Sequence, residues 1–383
     1  MRIEKITAIP VRVPRDGRAT RGLAGTPTGV SGEGRYRWST AYPVLYPVDF
    51  ETALVRVDLE NGMTGWGEAQ APLAPEVACT IIEVLFTPLL TGRWFAGKPG
   101  EIGEIRELLY NTMRVRGQTG GYQLDAMAGI DLALWDLAGQ LAGRPVAGML
   151  GSVRRRVPAY VSGVAGATDG ERLAFVGEHV ERGFRLFKLY LEESWSELER
   201  RLRLYQSEFP GVRFAVDALW HLPEGAGQDL DLEWMECPFP PEEIEAHERW
   251  VAGARAPLAV GESYRTRYEL RPLQGLAGVL QPDLGRCGIT ESVAIGRLAK
   301  RLVPHVSIAL APQILAAVHL AAALPNSGLC EYNPRVLEVA NRFLAEPIAL
   351  DGASYVLPER PGLGVVFNRE GLAGAWTVGA RTG

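Results

Sequence analysis

Five short apolar runs in the second half of the chain each close on a residue able to hold charge or a proton: FKLY at Tyr190, RFAVD at Asp217, LEWME at Glu236, LAVGE at Glu262 and GVLQPD at Asp283. Runs of this length, separated by segments long enough for helices, are the pattern of parallel strands, whose C-terminal ends face a common site. Asp217, Glu236 and Glu262 stand on three successive runs and would converge there. Three converging carboxylates repel one another unless a hard divalent cation lies between them, and oxygen donors suit such a cation. A single strand-end acid reads equally well as a helix cap or the partner of an Arg. Repetition on three strands favours the cation.

Lys188 and Tyr190 are two apart on one strand, so they share a face and point inward while Leu189 packs outward. A buried Lys needs an anionic partner, which either a structural network of acids or a reactive site supplies. His305 follows Pro304 at another strand end, and Asp283 ends the preceding strand. An Asp that orients a His fixes its tautomer and raises its basicity, which makes a general acid or base. His179, His221, His247 and His319 lack comparable company and read as structural.

The elements that must position these residues follow from periodicity. Strand-like runs at 157–163, 184–190, 212–217, 232–236, 258–262, 278–283, 303–308 and 328–331 alternate with helical ones, predicting an α/β fold built on an eight-stranded parallel barrel. Between Asp217 and Glu236 the segment ALWHLPEGAGQDLDLEWM leaves little room for a full helix. Upstream, LDAMAGIDLALWDLAGQLAG (124–143) is a helix stopped by Gly143 and Pro145. The first 70 residues read as a strand, a long loop and a strand pair joined at Asn61-Gly62, for which a type I′ turn is expected. With helical periodicity over 72–118, the N-terminal third is an α+β unit. The loop from Arg15 to Tyr46 carries five Arg, and Tyr36, Trp38, Tyr42 and Tyr46 as anchors, so it reads as a lid; a disordered linker is the alternative. The tail holds strand-like SYVL, GVVF and AWTV pieces expected to fold back on the first unit.

Composition excludes several classes of function. The 383 residues are 47% hydrophobic and 22% charged, ordinary for a chain with a real core. A formal charge of -5 and a pI near 5.7 argue against nucleic acid or anionic membrane as partner. The opening MRIEKITAIPVRV is not a signal peptide, which leaves the cytoplasm as the expected compartment. The most apolar window, Leu302 to Pro325, is broken by Pro304, His305, Pro312, Gln313 and His319, and reads as a strand followed by a helix rather than a membrane span. The four Cys form no C-x-x-C pair and read as buried, reduced residues. No phosphate-binding G-x-x-x-x-G-K-[ST] loop, strand-linked G-x-G-x-x-G or G-x-S-x-G elbow occurs.

In chain order, DLALWDLAGQLAGRPVAGMLG (131–151), GFRLFKLY (183–190), RFAVDA (213–218), EWMECPFPPE (233–242), LAVGES (258–263), QPDLGRCGIT (281–290), PHVS (304–307), HLAAALPN (319–326) and CEY (330–332) resemble the enolase superfamily, and within it the mandelate racemase-like subgroup. The resemblance implies a modified (β/α)7β TIM barrel (126–350) under an α+β capping domain (1–125, with a mobile lid around 15–46) completed by the C-terminal tail (351–383). It further implies one Mg2+ per subunit, with Mn2+ as a substitute, held by Asp217, Glu236 and Glu262. A His305–Asp283 dyad would face a base on the second strand, Lys188 or Tyr190, across a small carboxylate substrate. Glu331 would hydrogen-bond the substrate carboxylate, and the protein would be a homo-oligomer, a dimer or octamer. Four positions depart from the subgroup pattern: Tyr190 stands where a second Lys is frequent, Cys237 where an acid is usual, Leu219 where Asn is common, and Gly288 alone where a glycine pair is usual. A phenol is a poor base at neutral pH unless neighbouring positive charge lowers its pKa, a role expected of Lys188 and the metal.

A proton α to a carboxylate is too weakly acidic for a side chain alone, so preorganised positive charge is required. The leading expectation is a Mg2+-dependent sugar-acid dehydratase (a lyase), with His305 as the acid that expels the β-hydroxyl. A racemase/epimerase or cycloisomerase uses two opposed groups in the same way, and a non-catalytic metal-binding barrel is the remaining alternative.

Overall fold

The computed structural model describes residues 1–14, 35–38, 44–151, 154–306 and 308–368. Most of the expected lid and the AWTV piece lie outside the described residues. In the capping domain β1 (Ile3–Val13) pairs antiparallel with β4 (Phe50–Leu59), and β4 with β5 (Thr64–Ala69). The short strands β2 (Tyr36–Trp38) and β3 (Leu45–Pro47) form a separate hairpin. The β4–β5 turn is not type I′, because only Gly62 of the Asn61-Gly62 pair has positive φ (84°). Gly62 N–H donates to Leu59 O and Leu59 N–H to Met63 O, each at 2.9 Å, so the connection is a tight turn followed by a left-handed glycine. Asn61 instead accepts the Met63 N–H through Oδ1 at 3.2 Å. The chain continues as α1 (Pro75–Ile81), a π turn (Ile82–Phe86), α2 (Thr87–Leu90) and α3 (Pro99–Arg114).

The helix α4 (Tyr122–Ala142) is buried on nearly every face and ends, as its sequence predicts, at Gly143 in the left-handed region (φ 63°). It lies against β5 so closely that a Cβ at Gly65 or Gly67 would overlap the Ala133 or Gly129 carbonyl oxygen, so glycine is required there. The expected boundary at residue 125 therefore falls inside one continuous helix that packs on both the capping sheet and the barrel.

After α5 (Val146–Met149), eight parallel strands follow: β6 (Arg156–Ser162), β7 (Leu186–Tyr190), β8 (Arg213–Asp217), β9 (Met235–Glu236), β10 (Leu258–Val260), β11 (Ala277–Leu280), β12 (Arg301–Leu302) and β13 (Cys330–Tyr332). They pair in the order β13-β6-β7-β8-β9-β10-β11-β12, and Leu302 N–H donates to Asn326 O (3.0 Å) just ahead of β13. The crossovers carry α6 (Asp169–Glu181), α7 (Trp195–Glu208), α8 (Ile244–Gly253), α9 (Arg267–Leu270), α10 (Leu284–Gly296) and α11 (Ala311–Ala323), with α12 (Pro334–Asn341) after β13. Between β8 and β9 there is no helix, as the short segment predicts. This is the modified TIM barrel with its capping domain.

Of the tail, β14 (Leu350–Asp351) and β15 (Ser354–Val356) form a hairpin on barrel strand β6, so SYVL extends the barrel sheet and not the capping sheet. GVVF forms no strand; Phe367 stacks edge-on against Trp66 of β5 at 4.8 Å, which returns the tail to the capping domain. Among the described residues no helix is long and apolar enough to cross a membrane. The apolar window at 302–325 resolves into β12, an isolated bridge of His305 to Asp283, and α11.

Candidate active site

Alternation along the barrel strands turns every second residue inward. At the C-terminal ends these are Ser162 on β6, Lys188 and Tyr190 on β7, Asp217 on β8, Glu236 on β9 and Glu331 on β13. Glu262, Asp283 and His305 come from the residues just past β10, β11 and β12. All eight residues singled out from the sequence therefore meet at one end of the barrel.

Lys188 is fully buried, with Nζ 2.6 Å from Glu236 Oε1, 2.9 Å from Glu331 Oε1 and 3.6 Å from Asp217 Oδ2. Burial alone lowers the pKa of an ammonium, but Glu236 and Glu331 outweigh it and hold Lys188 well above its ordinary range. His305, 4% exposed, places Nε2 3.1 Å from Glu262 Oε2, 3.6 Å from Glu331 Oε2 and 3.7 Å from Glu236 Oε1. Burial pushes its imidazole down, yet Glu331, Glu262 and Asp283 bring it up to about 10, so at neutral pH it is a proton donor. Glu331 is drawn down to about 2: burial opposes ionisation, and His305 and Lys188 overcome it. Asp217 goes the other way, raised well above the carboxylate range by burial and by Glu236, with Lys188 only partly offsetting them.

Tyr190 differs from expectation. Its hydroxyl pairs with Ser162 Oγ at 2.6 Å, and burial raises its pKa above the usual phenol value despite the opposing charge of Lys188. Glu236 and Glu331 already take up the Lys188 charge that was to have lowered it.

Among the described residues, Glu236, Glu262 and His305 form a group of possible metal donors, one ligand atom from each lying within 4.8 Å of the others. Asp217, expected in that set, turns to Lys188 and accepts the Leu219 N–H at 3.0 Å. Among the described residues, Asp217, Glu236, Glu262, Asp283 and Glu331 crowd around only two cationic side chains, Lys188 and His305. That surplus of carboxylate oxygens fits a hard divalent cation.

The backbone beneath the acids is strained. Leu219 (φ 50°) and Trp220 (φ 61°) after Asp217, and Cys237 (φ 44°) after Glu236, are non-glycine residues in the left-handed region. Such residues cost on the order of 1–3 kcal/mol each and cluster at functional sites. Trp220 N–H donates to Cys237 O at 2.8 Å, tying the two strained turns together. Leu219 occupies the position where the subgroup commonly has Asn, a residue that enters this region more readily.

Four further residues complete the site. Trp234 Nε1 and Gln281 Nε2 donate to Glu236 Oε2 at 3.0 and 2.8 Å. Both stand two residues before a strand-end acid, so strand alternation alone could have found them. Ser162, at the inward end of β6, shares that signal. Gln313, whose Nε2 donates to Asp283 Oδ1 at 2.7 Å, sits on α11, and nothing in its local sequence marks it.

His319 is structural, as expected: Nδ1 accepts from Ala147 N–H (3.1 Å), Nε2 donates to Leu363 O (3.0 Å), and burial lowers its pKa to about 4. His179 and His247 each bond a backbone carbonyl one helical turn earlier.

Comparison with known proteins gives the same architecture. The family described as Enolase C-terminal domain-like matches residues 171–371, and the Mandelate racemase / muconate lactonizing enzyme N-terminal domain matches residues 48–151. The D-galactarolactone cycloisomerase of Agrobacterium fabrum is 30% identical over 350 residues, covering 83% of this chain and 89% of that protein. The arabinonate dehydratase of Saccharolobus solfataricus is 28% identical over 344 residues, covering 84% and 89%. The crystal structure of an enolase-superfamily member from Agrobacterium tumefaciens superposes with a TM-score of 0.89 at 28% identity, over 97% of this chain and 98% of that one.

Proposed function

Because this chain belongs to the enolase superfamily, in its mandelate racemase / muconate lactonizing enzyme family, we propose that it is a divalent-cation-dependent lyase that dehydrates a sugar acid, an aldonate or aldarate, to a 2-keto-3-deoxy acid. The observation that carries the reading is that two basic side chains from different strands flank one carboxylate: Lys188 faces Glu331 Oε1 and His305 faces Glu331 Oε2.

Asp217, Glu236 and Glu262 are the residues we assign to the cation, Mg2+ by their hard oxygen donors. When bound, it supplies positive charge against the developing enediolate and draws carboxylate charge away from Lys188. The substrate α-carbon lies between Lys188 and His305. Lys188, released from Glu236, first passes its ammonium proton to Glu331, 2.9 Å away; as the neutral amine it then takes the α-proton, and the C–H electron pair forms the enediolate. Tyr190 and Ser162 hold the neighbouring wall through their mutual hydrogen bond. His305 gives its proton to the β-hydroxyl as the C–O bond breaks; water leaves and the enol becomes the 2-keto acid. Asp283 Oδ2 stands 3.6 Å from Nδ1, a charge contact longer than a hydrogen bond, and we assign its charge the role of orienting that imidazole. Glu331 receives the substrate carboxylate through a hydrogen bond that requires one shared proton. The four described cysteines are free and buried, in keeping with a reducing compartment such as the cytoplasm. The functional unit we assign is an even homo-oligomer.

A second reading is isomerisation, supported by the same opposed pair and by the cycloisomerase among the relatives. A panel of aldonates and aldarates with Mg2+ in D2O, followed by NMR, separates the two. A 2-keto product supports dehydration, and deuterium at Cα with inversion supports isomerisation. Metal binding with neither exchange nor product across the panel would overturn both.

A further inference from the structure

Asp283, the partner of His305, is gripped from the capping domain. The first turn of α11 receives no hydrogen bond from a side chain at its own N-cap position, because that position is Leu310. Its free N–H groups are met by Glu68 of β5: Oε1 accepts from Leu310 N–H at 2.8 Å, and Oε2 from Leu310 at 3.0 Å and Gln313 at 3.3 Å. A carboxylate at a helix N-terminus satisfies otherwise orphaned donors and the helix dipole together. Thr52 Oγ1 on β4 donates to Glu68 Oε1 at 2.9 Å and holds the carboxylate in place. Gln313, thus fixed, donates Nε2 to Asp283 Oδ1 (2.7 Å), which also accepts Gly285 N–H (2.9 Å). With Oδ1 held by two donors, the carboxylate plane is set and Oδ2 is the oxygen that faces His305 Nδ1.

The turn after Asp283 packs closely on Gln313 and Gln70. A Cβ at position 285 would stand 2.8 Å from Gln70 Cβ and collide with Gln313 Oε1. Gln70 N–H donates to Gly285 O at 2.9 Å, and the Arg286 side chain bonds Gln70 Oε1. The end of β5 therefore holds both segments that carry the dyad, the one after Asp283 and the one that starts α11.

We propose that Gln313 is a positioning residue for the His305–Asp283 dyad and that Glu68 locks it from the capping domain, so that docking of this domain sets the orientation of the general acid. The role rests on the reading of His305 as an acid, but its first test needs no substrate. In the Mg2+-loaded, 15N-histidine-labelled protein, the His305 ring N–H signal is assigned by its loss in His305→Asn. Gln313→Met, close in length but without the donor, is expected to shift or abolish that signal while the thermal midpoint stays near that of the wild type. Should Gln313→Met fail to fold, Glu68→Gln, which keeps the shape, is read the same way. With a turned-over substrate, dehydration falls about 10- to 100-fold, the range for outer groups that orient a reactive side chain. Because α-deuterium exchange depends on Lys188, the exchange-to-product ratio rises. An unchanged His305 signal and an unchanged ratio would overturn the proposal; a changed signal in a protein that dehydrates no panel member would sustain it while overturning the dehydratase reading.

Discussion

Inside the barrel, Tyr160, Leu186, Ala215, Trp234, Ala259, Val279 and Val303 fill one apolar layer, with Leu329 packed against it. Two residues further along the same strands stand Ser162, Lys188, Asp217, Glu236, Gly261, Gln281, His305 and Glu331. Both layers point inward by the same pleat, so geometry does not distinguish them. The lower layer is closed to water and gains from dispersion and burial. The upper layer places charges where their desolvation is costly and relies on their mutual pairing to offset it. One barrel thus separates a stabilising floor from a reactive ceiling over the distance of one residue pair.

Several substitutions sharpen or break that separation. The largest effect is expected from Lys188→Met, which leaves Glu236 and Glu331 without their shared cation. Leaving buried charges unpaired costs about 3–5 kcal/mol, and turnover falls on the order of a thousandfold with loss of the base. Denaturant midpoints and steady-state rates measure both, and a stable, active variant would erase the contrast. Leu186→Ala, two residues earlier, is expected to cost about 2–5 kcal/mol by opening a cavity while kcat and KM change little. A large loss of kcat at full stability would show that the floor also takes part in chemistry.

The two buried histidines give the next comparison. His305 lies among acids and is raised to about 10, whereas His319 lies on apolar α11 and is lowered to about 4. His319 binds fewer protons in the folded than in the unfolded chain. Its contribution is therefore fully present above the ordinary His pKa and is lost as pH falls from there through about 4. The loss amounts to about 3 kcal/mol at 1.36 kcal/mol per pKa unit. Urea midpoints for the wild type and His319→Gln, measured at neutral and acid pH, are expected to converge on acidification. Trp234→Phe has the smallest expected effect: it keeps the floor's ring but removes the indole donor to Glu236. A hydrogen bond to a charged group contributes about 1.5–3 kcal/mol, and a calorimetric loss well outside that range would mean that the layers are not coupled through this bond.

Much of this was legible in the chain. Strand period placed Lys188 and Tyr190 inward, and repeated strand-end acids brought Asp217, Glu236 and Glu262 to one mouth. Gly143 stopped α4, and the short Ala218–Met235 segment carries no helix. These features depend on residues near one another in sequence, which is what periodicity and turn chemistry report. The Asn61-Gly62 turn departed from its expected type because β4–β5 pairing, not the dipeptide alone, set the loop length.

What sequence by itself determined, then, is the order of elements, the inward parity of each strand and the identity of the groups that meet. Only the tertiary structure decided their electrostatic surroundings: that Lys188 is held between two carboxylates, that Tyr190 hydrogen-bonds Ser162, and that acids on three sides push His305 toward its protonated form. It also decided that Glu68, more than two hundred residues away, closes the first turn of α11 and sets Gln313 against Asp283. A pKa and a hydrogen-bond partner depend on burial and on charges a few ångströms away in space, and those neighbours come from strands and domains that no local pattern joins.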